Sequence, residues 1–219
     1  MGVVAITGAG SGLGRALAHK YRAAGNTIYL LGRDEQKLLL VQNEIRSSGG
    51  SAETVACDIT EPASVSIAFE QFDQLDLLIN NAGMGIFGAL STYSPDEIDQ
   101  VIDTNIKGTI HVTQYALPLL EQSNGRIINI ISTAGLRGKT NESVYCASKF
   151  AVRGFTESLQ KEWESKSVSI TAAYMGGMNT PFWENSEHVS NPENFPSPDQ
   201  AAEQIFNQDD RRTEIHIEK

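Results

Sequence analysis

The sequence predicts one doubly wound α/β domain, a parallel sheet with helices on both faces. Three observations predict it. Short aliphatic and β-branched runs alternate with helical segments along the chain, and that alternation means βαβ units. Several of the runs are continuously apolar, as in strands buried on both faces. The first run leads directly into a turn with glycines at 8, 10, 12 and 14, at the sheet edge where such folds bind ligands. A length of 219 residues suits a single domain, residues 1–219, with a continuous core.

The elements follow in order. Residues 3–7, Val-Val-Ala-Ile-Thr, are the first strand. Leu13, Leu17 and Tyr21 then recur at helical spacing, and Gly25 can close that helix. Residues 27–31 are a second strand, and a helix with Leu38, Val41 and Ile45 on one face ends at Gly49-Gly50. Asp34 is placed to cap that helix. Residues 54–56 are a short third strand, Pro62 marks the first turn of another helix, and residues 75–79 are the fourth strand. Ser94-Pro95-Asp96-Glu97 reads as a capping box opening a long helix with Ile98, Val101, Ile102 and Ile106. Residues 126–131 are a fifth strand, 145–164 a long helix and 168–173 a sixth strand. Residues 181–198 are rich in Pro, Asn, Ser and Glu and read as an irregular substrate flap within the domain. Pro198 starts a last helix with Ala201, Ala202 and Ile205, and residues 214–217 alternate like a final edge strand.

Composition narrows the function. A formal net charge of −10 argues against coating nucleic acid or an anionic membrane. It leaves room for a phosphate pocket built from backbone amides. Cys57 and Cys146 make no disulfide framework, and His19, His111, His188 and His216 form no metal-ligand pattern. No metal is expected. No secretion signal or apolar run of about 20 residues stands out, so a cytoplasmic location is expected. Met1-Gly2 suggests myristoylation, but Ile6 stands where that motif wants Ser or Thr. Asn141-Glu142-Ser143 fits a glycosylation acceptor and reads as a chance match.

The chemistry-bearing residues lie at strand ends. Thr7-Gly8-Ala9-Gly10-Ser11-Gly12-Leu13-Gly14 joins a strand to a helix. Glycines there let the backbone approach a pyrophosphate, whose charge the helix N-terminus meets. The plainer reading is a tight turn needing positive φ. Tyr145 and Lys149, four apart, share one helix face. Such a pair is ordinarily a solvated contact. Beside an oxidised nicotinamide, the ammonium would favour the phenolate and bring the tyrosine pKa toward working pH. Ser132 ends a strand, where its hydroxyl can meet a substrate oxygen or simply serve a turn. Asn105 is an odd residue for a helix interior, either functional or a satisfied polar core group.

Together these residues resemble the short-chain dehydrogenase/reductase family, a Rossmann fold. Gly8, Gly12 and Gly14 match its Thr-Gly-x-x-x-Gly-x-Gly turn. Asn80-Asn81-Ala82-Gly83, Asn105, Ser132 and Tyr145-x-x-x-Lys149 follow in the family's order, over residues 3 to about 180. The resemblance implies a catalytic set of Asn105, Ser132, Tyr145 and Lys149, with Asn105 holding a water that leads to Lys149. It implies cofactor contacts from Gly8, Ser11, Gly12, Leu13, Gly14, Arg33, Asp58, Ile59, Asn81, Ala82, Gly83, Tyr145, Lys149, Gly176, Met178 and Thr180. The implied reaction moves a hydride between NADPH and a small-molecule carbonyl or secondary alcohol. A homodimer or homotetramer is implied too, paired through the helices carrying Asn105 and Tyr145. Ile110, Val112, Phe150, Val152 and Phe155 supply apolar positions there.

Gly32-Arg33 favours NADP over NAD, since by resemblance the NAD-selecting Asp would stand at position 32, although Asp34 also lies about 20 residues past Gly14. Met175 replaces the proline of the family's Pro-Gly-x-x-x-Thr, while Gly176 and Thr180 remain. Phe182 and Trp183 would either line the substrate pocket or clasp the flap to the core. The tail after Thr180 is shorter than the family norm. Two rival functions are a sugar-nucleotide epimerase or dehydratase, whose glycines are spaced differently, and a non-catalytic NADP-binding redox sensor. Arg137 and Lys139 are the few basic groups in the expected pocket walls, so a heavily anionic substrate is not indicated.

Overall fold

The computed structural model describes residues 2–184 and 186–217; Met1 of the acylation motif and Asn185 of the flap lie outside it. Its strands are β1 (Val3–Thr7), β2 (Thr27–Gly32), β3 (Ser51–Ala56), β4 (Leu77–Asn80), β5 (Arg126–Ser132), β6 (Ser169–Met175) and β7 (Glu214–His216). They form one sheet in the order β3-β2-β1-β4-β5-β6-β7, parallel throughout. The chain builds outward from β1 to β3, then restarts at β4 on the other side of β1. The reversal opens a crevice at the carboxyl ends of β1 and β4, where such sheets bind ligands.

Helices α1 (Gly12–Ala23), α2 (Glu35–Ser47) and α7 (Pro198–Gln208) cover one face. Their Leu17, Tyr21, Leu38, Val41, Ala202 and Ile205 pack on Val4 and Ile6 of β1. Helices α3 (Pro62–Phe69), α5 (Thr109–Ser123) and α6 (Ser143–Glu162) cover the other face, while α4 (Pro95–Ile102) leads toward α5. On that face Val65, Val112, Leu120 and Leu159 join Ala5. Alternate residues of β1 thus feed opposite cores, as the two-residue strand period requires. Among the described residues no helix is long and apolar enough to cross a membrane.

The local signals hold at the element ends. Asp34 caps α2 by accepting from the Lys37 amide at 3.1 Å, and Ser94 and Glu97 form the capping box of α4. Several boundaries differ from expectation, β6 running Ser169–Met175 rather than 168–173 and α6 Ser143–Glu162 rather than 145–164, and three differences have a visible cause. β3 begins at Ser51 rather than at 54, because an edge strand needs only Ala52 and Val55 inside. β4 starts at Leu77 rather than at 75, since the Val3 amide donates to the Asp76 carboxylate at 2.7 Å before the ladder begins. The long helix after Ser94 is interrupted by a π-helical segment, Asp103–Gly108. There the Thr109 hydroxyl takes the Asn105 carbonyl at 2.8 Å. A Cβ on Gly108 would come within 2.6 Å of Ile59, so the segment packs closely on that side chain.

At the amino-terminal edge, Asp209 ties three elements together. It accepts from Arg126 Nε at 2.7 Å, Arg126 Nη2 at 2.6 Å and the Tyr21 hydroxyl at 2.7 Å. Its side chain is 3% exposed and that of Arg126 25%. Asp209→Ala leaves a largely buried guanidinium without its counterion. Urea unfolding should show a loss on the order of 3 kcal/mol, with unchanged m-value.

Candidate active site

The glycine turn sits where β1 meets the crevice. Gly8 and Gly12 have φ of 64° and 51°, which glycine adopts without strain. A Cβ on Gly14 would lie 2.2 Å from the Gly8 carbonyl oxygen, so only glycine lets α1 close on the strand. Ser11 does not use its side chain to cap α1, and no acidic residue lies in the first turn. The positive end of the α1 dipole therefore faces the crevice. Thr180 lies against Gly12, 3.3 Å from where its Cβ would be. Behind the turn, the Thr7 hydroxyl accepts from the amides of Asn81 and Ala82, both at 3.0 Å. Asn81 Nδ2 donates to the Thr7 carbonyl at 2.9 Å. The side chain of Asn81 is thus a brace for the turn. This uncapped, glycine-lined helix end fits the pyrophosphate of a dinucleotide.

Tyr145, Lys149 and Ser132 converge beside it. Ser132 ends β5, and its Oγ accepts from the Ala134 amide at 3.1 Å. Burial raises the Tyr145 pKa well above the ordinary tyrosine value, and the nearby Ser132 side chain only partly offsets it. Glu142 and Cys146 push the same way. Lys149 lies 5.9 Å from the centre of the Tyr145 ring, and burial pushes its own pKa down to about 8. Lys149 Nζ donates to the Ile130 carbonyl at 3.1 Å, and a Cβ on Gly83 would sit 3.6 Å from it.

Asn105 lies in the π-helical segment and is 1% exposed. Its Oδ1 accepts from the Met84 amide at 2.8 Å, while Nδ2 donates to the Met84 carbonyl at 2.8 Å and to Ser148 Oγ at 2.9 Å. Ser148 in turn donates to the Tyr145 carbonyl at 2.7 Å. Asn105 therefore locks the 83–84 loop to the helix of Tyr145. Sequence reasoning missed Ser148, although it stands between Tyr145 and Lys149 in the motif.

The remaining candidates ring the crevice. Arg33 is exposed just past β2. Asp58 spends one carboxylate oxygen on the Thr60 amide and hydroxyl, at 3.0 and 2.8 Å. The Ile59 side chain belongs to the second core, which leaves its backbone for any ligand. Gly176 has open space where a Cβ would be, and the Met178 carbonyl accepts from Trp183 Nε1 at 3.0 Å. Met175 is 3% exposed at the end of β6 and packs in the first core.

Over Tyr145 lies an aromatic cluster drawn from the 84–89 and 182–194 loops, which the sequence suggested as pocket walls without showing that their rings meet. Phe87 meets Tyr145 edge-on at 5.4 Å and Phe182 at 6.0 Å. It stacks with Trp183 at 5.3 Å and with His188 at 4.7 Å. Phe182 lies 5.9 Å from Tyr145, while Trp183 joins the cluster through Phe87 and Phe182. Among the described residues no group of His, Cys, Asp and Glu is arranged to hold a metal.

The sequence model of the short-chain dehydrogenases matches residues 2–190. An uncharacterized oxidoreductase of Staphylococcus epidermidis is 35% identical over 190 residues, covering 84% of this chain and 81% of its own. An actinorhodin polyketide ketoreductase variant solved with NADPH superposes with a TM-score of 0.90 at 27% identity, over 99% of this chain and 95% of its own. A short-chain dehydrogenase/reductase from Burkholderia phymatum, in complex with NAD, has a TM-score of 0.90 at 27% identity, over 98% and 88%. With its parallel sheet and a family match over most of its length, the chain belongs to the short-chain dehydrogenase family of oxidoreductases.

Proposed function

We propose that the protein is an NADPH-preferring reductase of small-molecule carbonyls, running in reverse as a secondary-alcohol dehydrogenase. The observation that carries this reading is the buried Tyr145, with Ser132 acting on its hydroxyl and Lys149 5.9 Å from its ring, in a chain whose α1 opens on a glycine-lined end. Bound NADPH supplies the hydride. Tyr145 donates the proton to the substrate oxygen, and its raised pKa keeps that proton in place at neutral pH. Ser132 hydrogen-bonds the same oxygen as negative charge develops there. Lys149, held by Ile130, binds the nicotinamide ribose. Asn105 keeps Met84 and Ser148 in place and belongs to the proton path toward Lys149. The direct test is NADPH oxidation, followed by absorbance, over a panel of aldehydes and ketones. Turnover with none of them would remove the reading.

Arg33 carries the cofactor preference. Its guanidinium, exposed just past Gly32, suits a ribose 2′-phosphate. Arg33→Ala should lower the NADPH-to-NADH affinity ratio by about tenfold, as losing one charge-assisted contact would. Fluorescence titration of both cofactors measures it, and an unchanged ratio removes Arg33 from that role.

The outer helix surfaces support self-association. Val112 and Val152 turn inward, whereas Ile110, Tyr115 and Phe150 are 37%, 37% and 43% exposed. These are the apolar positions left over on α5 and α6, and a second copy would cover them. Light scattering at micromolar concentration should give a dimeric or tetrameric mass; a monomeric mass contradicts it.

A further inference from the structure

The rings over Tyr145 form a built wall, because two of them are pinned by polar contacts. Trp183 Nε1 donates to the Met178 carbonyl at 3.0 Å, and His188 Nε2 pairs with Glu142 at 3.1 Å. Gly85 lets the other two close in. A Cβ there would come within 2.4 Å of the Phe87 ring and 2.8 Å of the Phe182 ring. The ring faces and edges are therefore preset beside the reacting hydroxyl, which lowers the ordering cost of a flat ligand. Aromatic groups prefer such stacked and edge-on partners to saturated chains of equal size.

The charges of this wall are paired internally. The Glu142 side chain is 9% exposed and takes both His188 and, at 3.6 Å, Lys139. With Glu142 so engaged, Lys139 and His188 have a carboxylate partner within the wall and are not left to bind an anionic substrate. The chain's net charge of −10 likewise offers poor complement to an acidic carrier protein bearing an acyl group.

We infer that the substrate is a free, uncharged carbonyl compound carrying an aryl ring next to the C=O, held by Phe87, Phe182, Trp183 and His188. This rests on the carbonyl-reductase reading above. The test separates binding from turnover. Calorimetry on the Tyr145→Phe protein with NADPH present compares acetophenone, octan-2-one of equal carbon count and para-acetylbenzoate. Acetophenone should bind about tenfold tighter than octan-2-one, from two or more ring contacts, and tighter than para-acetylbenzoate. In Trp183→Leu and Phe182→Leu that preference should shrink to about twofold, with octan-2-one little affected. Equal binding of the two ketones, or a preference kept in both variants, overturns the inference. Wild-type turnover is followed in parallel. Preferred acetophenone binding without reduction of any ketone supports the aryl site and removes the reductase reading. Reduction of both ketones with equal kcat/KM removes the aryl site alone.

Discussion

Tyr145→Phe is expected to lower turnover by about a hundred- to ten-thousand-fold, the usual worth of a positioned general acid. NADPH affinity should stay within about twofold, because the cofactor would be held elsewhere. The substitution keeps the ring and its edge-on contact with Phe87. It removes the hydroxyl alone, and Ser132 retains the Ala134 amide as a partner. The glycine turn, braced by Thr7 and Asn81, is untouched. Steady-state rates on an accepted carbonyl and a fluorescence titration of NADPH read both parts. Turnover at the parent rate would remove Tyr145 as proton donor, and with it the proposed mechanism.

Lys149→Met should abolish turnover, weaken NADPH binding and make the protein more stable at neutral pH. Burial lowers the Lys149 pKa from 10.5 to about 8, so at pH 7 the fold carries a charged group it would rather hold neutral. Charging it costs on the order of 3 kcal/mol, from which the lost bond to the Ile130 carbonyl must be subtracted. The sign follows from proton linkage. Between about pH 8 and 10.5 the unfolded chain binds more protons at this lysine than the folded one, so parent stability rises with pH there. Below about pH 8 both states are protonated and the penalty is fully present. The stability gained by Lys149→Met should therefore be largest near neutral pH and fade toward 10.5. Thermal unfolding at several pH values checks this. A destabilised variant at pH 7 would show that the ammonium is a net stabiliser of the fold, contrary to its burial.

Much of the fold was legible because it depends on short-range rules. Continuous apolar runs marked the buried strands. Asp34, Ser94, Pro62 and Pro198 marked helix starts through local backbone chemistry. The four-residue spacing of Tyr145 and Lys149 is a property of any helix, and Gly8, Gly12 and Gly14 announce a turn that side chains would block. These features need nothing from distant parts of the chain.

Other features arise only when distant segments meet. The π-helical segment at Asn105 packs against Ile59, and the helical period of residues 95–123 conceals it. Asn105 bonds Met84, 21 residues away, and Ser148, 43 away. The wall over Tyr145 gathers Phe87, Phe182, Trp183 and His188 from two loops that share no sequence pattern. Burial also raises the Tyr145 pKa, an effect set by everything packed around the ring. By itself the sequence determined the sheet, the glycine turn after β1 and the pairing of Tyr145 with Lys149 on one helix, because periodicity, backbone sterics and helical spacing are local. Only the tertiary structure decided which side chains wall the site and how its charges behave, because desolvation and packing depend on everything folded around them.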